Sequence, residues 1–140
     1  MTVGDLCTRP VQTVSHAMSV WDAARTMLEH HVGTLVVLDR GGGPEGMITD
    51  RDIVLRCVAK EFDPDELPVT EIMTSPLRTI SADGDVPEAL RLMAEGEMRR
   101  LVVLDHEGEL YGVLTLDDLL SHIVAQGEWL GRLLETQVPV

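Results

Sequence analysis

The stretch "GMITDRDI", Gly46 to Ile53, is nearly repeated sixty-six positions later as "GVLTLDDL", Gly112 to Leu119. In each, an aliphatic pair leads to a threonine, an aspartate follows three residues on, and an amphipathic run begins: Thr49 with Asp52, Thr115 with Asp118. Thr-x-x-Asp ahead of such a run is the pattern of a helix start, with the hydroxyl accepting from a backbone N–H and the acid reaching back. Each copy therefore marks a strand turning into a helix.

Working outward at the same offset, the match runs without a gap from Val3 to Ile53. "VGDLCTRPVQTVS" falls on "VTEIMTSPLRTIS", and "LVVLD" from Leu35 falls on "LVVLD" from Leu101. Between them lie apolar sets at helical spacing, Val20, Ala23, Ala24, Met27 and Leu28 in one copy and Val86, Ala89, Leu90, Met93 and Ala94 in the other. Asp85 with Glu88 and Pro87 is the stronger helix-start signal, and Ser19 with Asp22 the weaker one. The continuous aliphatic "LVVL" runs predict strands buried on both faces. Short strands at Gln12–Val14 and Arg78–Ile80 complete the order strand, helix, strand, strand, helix, written twice.

The fold class expected is α+β: two βαββα units related by a pseudo-twofold axis and packed through their sheets, since neither copy alone buries enough apolar surface. The units span 1–60 and 69–125, joined by a polar linker at 61–68 and followed by a helical tail at 126–140. In that tail Trp129, Leu130, Leu133 and Leu134 share one face, which is expected to pack on the module's own core.

With 24 acidic against 11 basic side chains the chain carries a net charge of −13, which argues against nucleic acid and anionic membranes as partners. A single anionic ligand remains compatible, because one or two arginines and a helix N-terminus hold a phosphate even in an acidic protein. No apolar run approaches a membrane span and no leader pattern opens the chain, so a cytoplasmic location is expected. The histidines fall in no metal-ligand spacing, no nucleophile motif occurs, and neither a metal nor catalysis is expected. Cys7 and Cys57 are read as reduced thiols, with a thiol switch between them as a minor alternative if the fold brings them together.

The tandem order and the repeated "G-h-h-T-x-x-D-h" turn resemble a pair of cystathionine-β-synthase (CBS) domains, a Bateman module, over nearly the whole chain. That resemblance implies two clefts for an adenosine-containing ligand such as AMP, ADP or ATP, with no cofactor, and association as a homodimer. It also implies an effector protein, unnamed by the sequence, to receive the signal. By the same resemblance Thr49 and Asp52 serve one cleft and Thr115 and Asp118 the other, threonine toward phosphate and aspartate toward ribose. Adenine would lie against backbone near Thr13 and Val14, or Thr79 and Ile80. Arg51 stands where the second copy has Asp117, which favours anions in the first cleft, and Arg99 and Arg100 are candidates to reach either cleft. Asp52→Ala and Asp118→Ala are each expected to abolish binding at one cleft while sparing the fold. Two readings stay open: the Thr-x-x-Asp pairs as nucleotide ligands, or as caps in a ligand-free module that docks on a partner.

Overall fold

The computed structural model describes residues 1–136. The elements are α1 (Val3–Leu6), β1 (Thr13–Ser15), α2 (Val20–His30), β2 (Thr34–Leu38), β3 (Pro44–Thr49) and α3 (Asp50–Ile53), which continues as a π-type turn over Val54–Val58. After a 3-10 turn at Val69–Glu71 come β4 (Thr79–Ser81), α4 (Val86–Gly96), β5 (Arg100–Leu104), β6 (Leu110–Thr115) and α5 (Leu116–Thr136). Each copy forms its own three-stranded sheet, β1-β2-β3 or β4-β5-β6, with the first pair parallel and the second antiparallel. This is the expected α+β pair of βαββα units.

The strand period of two explains the "LVVL" runs. Leu35 and Val37 point to one side, into a core with Val20, Ala23 and Met27 of α2, whereas Val36 points to the other. Leu101 and Val103 likewise join the core with Ala89 and Met93 of α4. Val36, Val102 and Met47 meet between the sheets, with Leu38, Leu77, Leu104 and Val113 around them. Both faces of β2 and β5 are thus apolar contacts, and alternation vanishes from their sequence.

The segments that open each copy cross over. Val3 N–H donates to the Gly84 carbonyl at 2.8 Å and its side chain sits in the second unit's core. Val69 N–H donates to the Met18 carbonyl at 3.0 Å, and Val69 and Ile72 fill the first unit's core. The crossing chains then pair with the opposite sheet edges, Thr8 with Val113 and Thr74 with Met47. Here the glycines of the repeated turn find their purpose. A Cβ on Gly46 would meet the Thr74 carbonyl at 3.0 Å, and one on Gly112 would meet the Thr8 carbonyl at 2.9 Å and the Cys7 Sγ at 2.6 Å.

Three expectations change. The Ser19–Asp22 box is the reciprocal one, with Asp22 Oδ2 accepting from the Ser19 N–H at 3.1 Å. Asp85 only accepts from the Glu88 N–H, because the longer Glu88 side chain lies beside Gly84 instead. The tail is no separate helix packed on the core: α5 runs unbroken through it, since no proline interrupts it, and Trp129 and Leu133 remain 69% and 65% exposed. Its last residues, 137–140, lie outside those described. Finally, Cys7 borders the second core and Cys57 is buried in the first, so both are free and the fold does not bring them together. Burial pushes the Cys7 thiol up from its ordinary pKa.

Candidate functional site

Each Thr-x-x-Asp pair forms a closed reciprocal cap. Asp52 Oδ2 accepts from the Thr49 N–H at 2.9 Å while Thr49 Oγ1 accepts from the Asp52 N–H at 3.1 Å. In the second copy the same two bonds measure 2.9 and 3.0 Å. The bonds occupy one oxygen of each carboxylate and one lone pair of each hydroxyl. Each threonine retains its O–H as a donor, and each aspartate retains Oδ1. Asp52 Oδ1 lies 3.8 Å from Arg56 Nε, and the Nη1 of the same guanidinium donates to the Ile72 carbonyl at 3.1 Å, so that carboxylate is fixed in place. The capping and ligand-binding readings of these residues are therefore compatible.

Two clefts flank the contact between the sheets, and each is built from both copies. The Thr49 cleft, of about 170 Å³, takes Met47, Thr49 and Asp52 from the first copy. Its opposite wall is the Pro76–Arg78 segment and Met98, Arg99 and Arg100 from the second. The Thr115 cleft, of about 410 Å³, reverses the parentage, with Val113 and Thr115 facing Pro10–Gln12 and Val32–Thr34. Such exchange follows from the crossing segments: the chain leading into each short strand lies against the other unit's sheet edge.

The arginines gather in the Thr49 cleft. Arg78, Arg99 and Arg100 occupy the positions that Gln12, Gly33 and Thr34 hold in the other cleft. Arg99 is 3.9 Å from Asp117, whereas no acidic group lies within 4 Å of Arg78 or Arg100 among the described residues. In a protein of net charge −13, two arginines without an acidic partner in one cleft make a local positive field that suits a phosphate.

Of the residues singled out from sequence, the structure brings Thr49, Asp52, Arg99 and Arg100 to one cleft and Thr115 to the other, with Arg100 lining both. Asp118 is half-buried beneath Thr115 in its cap, outside the lining residues. Arg51 is exposed and does not line the Thr49 cleft, so the positive field there owes nothing to it. Val14 and Ile80 point into the two cores, and Thr13 and Thr79 stand just past the walls, which are formed one to three residues earlier by Pro10–Gln12 and Pro76–Arg78. Arg78 escaped the sequence reading. Its signal was present, an arginine where the offset gives Gln12, but using it required knowing that this segment faces the other copy's helix.

A family model described as the CBS domain matches residues 3–58 and 69–125. The Methanopyrus kandleri protein MK0525 is 36% identical over 121 residues, covering 86% of this chain and 62% of that longer protein. The CBS domain-containing protein YhcV of Bacillus subtilis is 37% identical over 118 residues, covering 84% of this chain and 82% of its own. Among solved structures, the CBS domain protein PAE2072 from Pyrobaculum aerophilum, complexed with AMP, superposes with a TM-score of 0.75 at 30% identity, covering 85% of this chain and 90% of that one. With two matches that fall on the two copies of the repeat, the chain belongs to the CBS-domain family as a tandem pair of CBS domains.

Proposed function

We propose that this chain is a regulatory module that binds an adenosine-containing ligand, AMP, ADP or ATP, and passes the signal to a partner protein. The observation that carries the reading is that Arg78, Arg99 and Arg100 line one cleft with Thr49 in a strongly acidic protein. The AMP complex of the similar Pyrobaculum protein supports the adenosine class. In this reading the arginines and Thr49 hold phosphate, the Oδ1 of Asp52, beside Arg56, accepts from ribose hydroxyls, and Leu77 and Met98 cover the base. A second copy is the proposed occupant of the exposed apolar positions that recur at the repeat offset, Val54 and Val58 after α3, Leu120 and Val124 on α5.

The alternative, a ligand-free module that docks on a partner, is favoured by one feature: Trp129, Leu130, Leu133 and Leu134 stand exposed on the last turns of α5. Thermal unfolding with millimolar AMP, ADP and ATP separates the two. A ligand that binds only the folded state adds about 2.7 kcal/mol at a hundredfold excess over its Kd. Asp52→Asn keeps an acceptor for the Thr49 N–H while weakening ribose binding, and should reduce the shift by about tenfold in apparent affinity. No shift with any nucleotide, in protein freed of bound nucleotide, returns Thr49, Asp52, Thr115 and Asp118 to capping alone.

A further inference from the structure

The two clefts have one charged residue in common. Arg100 opens β5, where its sheet partner is Thr115, and it lines the Thr49 cleft, the Thr115 cleft and a third pocket shared with Arg99 and Asp117. The corresponding residue of the first copy, Thr34, is paired with Thr49 yet lines only the Thr115 cleft. The first residue of each middle strand thus stands between the clefts, and a threonine there serves one of them. A guanidinium on a long side chain serves both. Arg99 is occupied by Asp117 at 3.9 Å, whereas Arg100 has no acidic partner among the described residues and can turn either way.

We propose that the clefts share Arg100 as a phosphate ligand and are therefore negatively coupled. The inference rests on the reading of both clefts as nucleotide sites. A guanidinium fork engages one phosphate bidentately. Drawn toward an anion at Thr49, Arg100 leaves the Thr115 cleft without a lining cation among the described residues, and two phosphates on either side of one arginine repel each other. The first ligand weakens the second by about tenfold, and the effect is reciprocal. An uncharged nucleoside makes no demand on Arg100 and binds without coupling.

The test is calorimetric titration of the full chain with ADP, using variants that disable one cleft each. Arg78 lines only the Thr49 cleft and Gln12 only the Thr115 cleft, so Arg78→Glu and Gln12→Glu close them selectively. The expected result is that the Thr115 cleft left open in Arg78→Glu binds ADP about tenfold more tightly than the second step of the unaltered protein, and that the Thr49 cleft left open in Gln12→Glu binds it as the first step does. With Arg100→Gln added, these values coincide, and adenosine shows no difference in either background. One equivalent bound by the unaltered protein, and one still bound by each single-cleft variant, is the strongest form of the same result. Equal affinities with and without the neighbouring ligand overturn the coupling and leave the nucleotide sites intact. So does a difference that survives Arg100→Gln, or, where the unaltered protein binds one equivalent, no binding at all in one of the two single-cleft variants. Absence of ADP binding in every protein overturns the nucleotide reading itself, and the coupling with it.

Discussion

The Thr49 and Thr115 clefts are the same construction carried out twice with different side chains. Backbone pairing is the same in both copies, residue for residue at the repeat offset, down to a register shift at the corresponding step, Val37/Leu38 and Val103/Leu104. The walls differ: Gln12, Val32, Gly33 and Thr34 face Thr115, whereas Arg78, Met98, Arg99 and Arg100 face Thr49. Larger side chains leave about 170 Å³ at Thr49 against about 410 Å³ at Thr115, and they exchange a nearly neutral wall for a cationic one. Duplication here has held the frame constant and altered only what reaches into the space between the sheets.

The most severe way to break this contrast is to neutralise the cationic wall. Replacing Arg78, Arg99 and Arg100 together by glutamine removes charge-assisted bonds worth about 1.5–3 kcal/mol each where they are made. ADP affinity at the Thr49 cleft should fall by about a hundredfold or more, the amount that one or two such bonds supply, and lose its salt dependence, while adenosine affinity changes little. Titration at two ionic strengths reads both. Unchanged ADP binding would mean that the arginines are solvated rim residues and that the two clefts are equivalent after all.

A second test asks whether the frames are as alike as they look. Gly46→Ala and Gly112→Ala each force a methyl group against a crossing chain and should cost about 1–3 kcal/mol of stability, measured by thermal or denaturant unfolding. Gly112→Ala should cost more. Its new methyl meets the Thr8 carbonyl at 2.9 Å and the Cys7 Sγ at 2.6 Å, whereas at Gly46 the flexible Met73 side chain can move aside. The smallest expected effect is a gain. Gln12→Arg with Thr34→Arg carries two of the three cations to the Thr115 cleft, and ADP should bind there several-fold more tightly by calorimetry. Gly33 is left unchanged because a Cβ at that position would meet Asp50 Oδ2 at 2.9 Å.

Most of the frame was legible because duplication tests itself: an ungapped offset across "LVVLD" and "G-h-h-T-x-x-D" fixes element order without any single propensity having to be right. What could not be read is what depends on contacts distant in sequence. The crossing of Val3 and Val69 leaves no local pattern, so Gln12 and Arg78 are read as strand residues when they line clefts. The expectation that Asp→Ala at positions 52 and 118 would spare the fold gains a measurable cost from the caps. Both carboxylates hold a backbone N–H, and losing such a cap costs about 1 kcal/mol. For the tail, apolar spacing along α5 set which residues share a face, but spacing says nothing of what that face meets.

The crossed opening segments also determine how this chain can be divided. A polypeptide cut within the linker would yield two pieces, and neither could finish its own interior: the first would lack Val69 and Ile72, the second Val3. Each piece would close only by lodging its leading residues in another, as in an exchanged dimer joined by no covalent link. The tandem chain makes that exchange intramolecular, at an effective concentration set by the linker rather than by the amount of protein present. The halves should accordingly unfold in one transition, and shortening the chain from its first residue would first be felt in the half that lies farthest along the sequence.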